Sequence, residues 1–93
     1  MITAIVLLNV QRDKVDAVAE SVADIDGVTE VFSVAGRYDL AVIVRVKDND
    51  RLAGVVTKGI RKVEGIEKSE TLIAFQVYSR HDLERMFSIG FKS

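Results

Sequence analysis

The chain has 93 residues, with 13 Lys+Arg against 14 Asp+Glu, a net charge of −1 and no Cys, Pro or Trp. That length makes one small domain, and the missing cysteine excludes disulfides, thiolate nucleophiles and thiolate metal centres. A near-neutral balance supplies no cationic field for a polyanion, so no direct nucleic-acid partner is expected.

Residues 2 to 10 are dense in β-branched and apolar side chains and stop at the polar stretch from Gln11 to Lys14, the pattern of a buried strand. The run holds Thr3 and Asn9, is too short to span a bilayer, and lacks the basic leader and cleavage site of a signal peptide. A cytoplasmic chain with no membrane partner is therefore expected. From Val15 the period becomes helical, with Val15, Val18, Ala19, Val22, Ala23 and Ile25 on one stripe and Asp16, Glu20, Ser21 and Asp24 opposite. This predicts a first helix over about residues 12 to 23, ended by Gly27. Residues 28 to 35 read as strand two and 40 to 47 as strand three, joined by Gly36-Arg37-Tyr38-Asp39 in a hairpin corner. Asp48, Asn49 and Asp50 are N-cap candidates for a second helix that turns Leu52, Val55, Val56, Ile60 and Val63 inward and ends near Gly65. Strand four is expected over residues 69 to 78, and a short terminal helix from Ser79.

A shift of 38 positions places Val18 on Val56, Val22 on Ile60, Ile25 on Val63, Gly27 on Gly65 and Val28 on Ile66. Two tandem β-α-β halves predict an α/β (α+β) sandwich of the ferredoxin-like βαββαβ type, a four-stranded antiparallel sheet with both helices on one face. Such a sheet normally alternates apolar and polar residues. These strands do not: Ile5 and Leu7 oppose Ala4, Val6, Leu8 and Val10, Ala41 and Ile43 oppose Leu40, Val42, Val44 and Val46, and Leu72 and Ala74 oppose Ile73, Phe75 and Val77. Each large apolar side chain left wet forgoes about 1.5–3 kcal/mol of burial. A second sheet is the simplest cover, so a homodimer through sheet stacking is expected, with Leu83, Met86, Phe87, Ile89 and Phe91 available to extend the assembly. The alternative is that this terminal segment folds back over its own sheet.

No enzymatic constellation stands out. The single histidine, His81, lies in a helix-start pattern beside Ser79 and Asp82, and Ser21, Ser33, Ser69 and Ser79 lack a nucleophile-elbow setting. One His without Cys does not make a transition-metal site, the Asp48-Asn49-Asp50 trio lacks the glycine and distant Glu of a calcium loop, and no cofactor is expected. The corner Gly36-Arg37-Tyr38-Asp39 differs in kind. Its backbone N–H groups and guanidinium suit a carboxylate and its carboxylate suits an ammonium, the two ends of a free α-amino acid. An ordinary polar turn with Tyr38 packed sideways explains the same residues equally well.

The stretch from Val34 to Val42 resembles the G-x-Y-D hairpin of the regulatory (RAM) module of Lrp/AsnC-type transcription regulators. The run from Val63 to Ile73, with Glu64-Gly65-Ile66 and Ser69-Glu70-Thr71, resembles that module's closing helix-to-strand segment. The likeness extends from Ile2 to about Tyr78 and implies a module that dimerises through its sheets and assembles into rings such as an octamer. It further implies a free amino acid bound between dimers as effector. Carried onto this chain, the cradle is Gly36, Arg37, Tyr38 and Asp39, completed by Thr71 and Gln76 on a neighbour's strand four. The chain opens directly at strand one, which resembles a stand-alone form without the helix-turn-helix domain, acting by ligand sensing or by co-assembly with full-length relatives. Competing readings are a small dimeric α/β-barrel enzyme, a pure oligomerisation or adaptor module, and an ACT-type binding domain. The uninterrupted helix stripes argue against the cleft such an enzyme needs, and Asn9 to Arg12 lack the glycines an ACT-type site usually carries there.

Overall fold

The computed structural model describes residues 1–78 and Arg80. Its elements are β1 (Ile2–Val10), α1 (Val15–Ala23), β2 (Val28–Ser33), β3 (Leu40–Val46), α2 (Asn49–Gly54) and β4 (Ile66–Ile73). The strands form one antiparallel sheet in the order β2-β3-β1-β4, the ferredoxin-like arrangement expected from the tandem halves. The turns after the two helices carry positive-φ glycines at Gly27 and Gly65, as the repeat requires.

Register decides which apolar residues face the helices. Val6 stands opposite Val42 and Leu8 opposite Leu40, and a slip of one residue would turn every one of them to the other face. In this register Ala4, Val6, Leu8, Leu40, Val42 and Val44 are wholly buried, under Val18 and Val22 of α1 and Leu52 of α2. Among the described residues no polar or charged side chain is buried. The helix stripes therefore pack closely over the middle of the sheet, on β1 and β3.

The second helix departs from a regular α-helix. Asp48 caps it as expected, its Oδ1 accepting the Arg51 N–H at 2.9 Å. After Gly54 the chain passes through a π-turn at Val55–Gly59 and a 3₁₀ turn at Ile60–Lys62. Five residues separate Val55 from Ile60, and in a regular α-helix that spacing would rotate them about 140° apart. The wider turn keeps both buried. Gly59 lets this turn close on the end of α1, since a Cβ there would stand 3.0 Å from Ile25 Cγ2.

The opposite face of the sheet is apolar and open. Ile5, Leu7, Ala41 and Ile43 are half-buried, while Phe32 and Leu72 are 47% and 45% exposed. Strand four corrects the sequence expectation at both ends. It begins at Ile66 because Val10 is there to pair with it, and the ladder ends where Ile73 meets Ala4 and the Ala74 N–H reaches Thr3 O at 2.9 Å. β1 has almost no strand left beyond that point, so Phe75, Gln76 and Val77 are not strand residues. Strand two likewise stops at Ser33, before Val34 and Ala35. The expected terminal helix, with His81 and the apolar residues from Leu83 to Phe91, lies outside the described residues.

Candidate functional site

The β2–β3 corner is bound to the middle of the sheet by Asp39. The Val34 N–H donates to Asp39 O at 3.0 Å and closes the loop, and the Asp39 N–H donates to Leu8 O at 2.8 Å. Asp39 Oδ2 accepts the Val10 N–H at 2.8 Å, at the point where the β1–β4 register shifts between Asn9 and Val10. The carboxylate thus satisfies a donor that lies just past the last β1–β3 pair, Leu8 with Leu40, where the ladder offers no backbone acceptor. Gly36 has φ +132° with open space where a Cβ would be, so glycine is required there by backbone conformation and not by crowding. Arg37 is exposed beside it.

Tyr38 leans across the sheet instead of packing sideways. Its hydroxyl donates to Glu70 Oε2 on β4 at 2.5 Å. That hydrogen bond, together with partial desolvation and the nearby carboxylate charge, raises the phenol above its ordinary 10.0, against a smaller opposing pull from Arg37.

Pairing separates the residues of β4 into two sets. Glu70 stands opposite Leu7 on the open face, whereas Ser69 and Thr71 stand opposite Leu8 and Val6 on the helix side. Thr71 is nevertheless exposed, because β4 is the edge strand and the helices do not reach over it. Within one chain, then, the corner and Glu70 come together on one face while Thr71 points to the other. Gln76 lies past the end of β4, with its Oε1 accepting a hydrogen bond from the Tyr78 hydroxyl.

Two residues of this region were not anticipated. Ser69 shares a face with Thr71 by the two-residue period of a strand, a signal present in Ser69-Glu70-Thr71. Glu70 is recognised only through its bond to Tyr38, which depends on register. A groove of about 290 Å³ opens between the helix segment at Val56 to Arg61 and the start of β4, and Ser69 is on its wall. A wider groove of about 640 Å³ lies at the opposite end of the sheet, beside Gly27, Lys47 and Arg51, and includes none of the expected site residues.

Residues 3–83 match the model of the Lrp/AsnC ligand binding domain. An uncharacterized HTH-type transcriptional regulator of Pyrococcus furiosus is 33% identical over 76 residues, covering 78% of this chain and 51% of its own length. The chain thus spans about half the length of the curated relatives it matches. The crystal structure of TTHA0845 from Thermus thermophilus superposes with a TM-score of 0.81 at 49% identity, over 86% of this chain and 100% of the other. A Neisseria meningitidis transcriptional regulator, NMB0573, solved as an L-Met complex, shares the fold at TM-score 0.76 and 15% identity, over 85% of this chain and 53% of its own. This family is one of non-enzymatic regulatory domains, in keeping with the absence of a catalytic constellation in the sequence. From the matched residues, the two motifs and the strand order, the chain belongs to the Lrp/AsnC ligand-binding domain family.

Proposed function

We propose that this domain is an oligomeric sensor of a free α-amino acid. Two copies stack through the open sheet face of Ile5, Leu7, Ile43, Phe32 and Leu72, and dimers join into a ring such as an octamer. The effector sits between dimers, held by Gly36, Arg37, Tyr38 and Asp39 of one subunit and by Ser69 and Thr71 of a neighbour. Gln76, beyond the strand end, flanks the site. The observation that carries this reading is the division of β4: Tyr38 meets Glu70 on one face while Thr71 lies on the other. A ligand touching both the corner and Thr71 therefore needs two subunits. In such a site the corner's backbone N–H groups and Arg37 take the α-carboxylate, and the free oxygen of Asp39 takes the ammonium. The L-Met complex of the Neisseria meningitidis regulator lends support, as a protein of the same fold with an amino acid bound. Output follows from assembly, including co-assembly with full-length Lrp/AsnC-type regulators.

The test is light scattering joined to calorimetry on the purified chain with each of the twenty amino acids. A mass of several dimers and binding of at least one amino acid are expected. A stable monomer would remove the stacking argument. An oligomer that binds none of the twenty would leave the second reading, an oligomerisation module, which the exposed apolar face alone favours.

A further inference from the structure

We infer that β4 is a second contact of the assembly, an exposed sheet edge that pairs antiparallel with β4 of another copy about a two-fold axis at Ser69. This inference rests on the oligomer proposed above and names the contact that joins one stacked dimer to the next. The sheet has two edges, β2 and β4. β2 has six residues and its register shifts between Val28 and Glu30, whereas β4 pairs regularly with β1 from Lys68 to Ile73, and every residue from Glu67 to Ile73 is exposed. The Ala74 N–H donates inward to Thr3 O. By the two-residue alternation of an antiparallel ladder, Lys68, Glu70 and Leu72 also bond inward to β1, and the N–H and C=O groups of Ser69, Thr71 and Ile73 point away from the sheet. An open row of this kind is a template for another strand.

Charge selects the partner and the register. Charged side chains ordinarily keep an edge single, but the signs on β4 are self-complementary. Centred on Ser69, a two-fold pairing sets Lys68 opposite Glu70 of the second copy, and Glu70 opposite its Lys68. Centred on Glu70, it would set two carboxylates against each other and Lys68 against Leu72; centred on Thr71, it would set Glu70 against Leu72. Because Ser69 carries outward backbone groups, the Lys68–Glu70 pairs fall at the closely spaced positions between hydrogen-bonded pairs, where side chains approach most nearly. Tyr38 already holds Glu70 through Oε2, which reduces the freedom lost on pairing. Each subunit then makes one contact by its face and one by its edge. Both are two-fold, and alternating them closes an assembly with an even number of subunits.

The experiment is light scattering of the full chain beside three variants, with circular dichroism to check that each is folded. The parent is expected at a mass of several dimers. Lys68→Glu sets carboxylate against carboxylate across the edge, and Thr71→Pro removes an outward N–H that β1 does not use. Each is expected to cut the mass at least about two-fold, to one stacked dimer. Lys68→Glu/Glu70→Lys restores both pairs with their signs exchanged and is expected to recover the parent mass. An unchanged mass in either single variant overturns the inference, as does a double variant that stays at the mass of Lys68→Glu. A parent that is only a dimer, split by Ile43→Glu and not by Lys68→Glu, overturns it and leaves sheet stacking standing. A fall to monomer in both single variants keeps the edge contact and overturns stacking, and a monomeric parent removes both. Should Thr71→Pro fail to fold, the two charge variants decide by themselves.

Discussion

The two faces of the sheet are built from much the same residue types and have different fates. On the helix side Ala4, Val6, Leu8, Leu40, Val42 and Val44 are wholly buried, whereas on the other Phe32 and Leu72 keep nearly half of their surface. Both helices lie on one face because each β-α-β connection crosses over in the same hand. Apolar strands with a single layer of helices leave one face that only another layer can cover. The covered face makes this domain stable, and the open face is the one we propose as the surface for association. The corner at Gly36 to Asp39 belongs to both, because it is bonded to buried β1 through Asp39 and reaches the open face through Tyr38.

Five substitutions sharpen or break this comparison. The largest effect is expected at Leu8→Ala on the covered face, a loss of about 2–5 kcal/mol in stability measured by urea unfolding, because a fully buried side chain leaves a cavity. Ile43→Glu on the open face is expected to keep the circular dichroism of the folded chain and reduce its mass in light scattering. An unchanged mass would show that this face is not an interface, and the contrast between the two faces would fail. Asp39→Ala should cost about 1–3 kcal/mol, since it strips the Val10 N–H of its acceptor, and should abolish amino-acid binding. Asp39→Asn keeps an acceptor for Val10 and so tests charge separately, with stability near that of the parent and binding still lost.

The smallest effect concerns Tyr38. Its phenol is held above 10.0 chiefly by the hydrogen bond to Glu70. A group whose folded pKa is raised contributes stability in full below its unfolded value, and that contribution is lost as pH rises through the folded value. The phenolate absorbance of Tyr38 should accordingly develop at higher pH in the parent than in Glu70→Gln. Equal titration in the two proteins would mean that the corner does not lean on β4.

Much of this was legible in the chain. The 3.6-residue stripe from Val15 to Ile25, the strand run from Ile2 to Val10, the Asp48 cap and the glycine turns at 27 and 65 are local signals, and local energetics enforce them. The corner was legible as a motif, Gly36 to Asp39, because its residue types announce both a turn and polar chemistry. The roles of its members were not. Asp39 stands as a free carboxylate in the sequence, yet one oxygen satisfies Val10, a residue 29 positions away. Gln76 reads as a strand residue by alternation alone, but a strand lasts only as long as its neighbour, and β1 supplies no partner past Thr3. The π-turn at Val55–Gly59 was also beyond local reading, because it is the fit of Val55 and Ile60 on one sheet surface that makes a wider turn favourable.

The sequence by itself determined the order of elements, the apolar character of both sheet faces and the family to which the chain belongs, since these depend on residue type and on short spacings. Only the tertiary structure decided which face the helices cover, where β4 ends, and that Tyr38 meets Glu70 while Ser69 and Thr71 look the other way. Those outcomes depend on strand register, and register is a property of two paired segments that neither one carries alone.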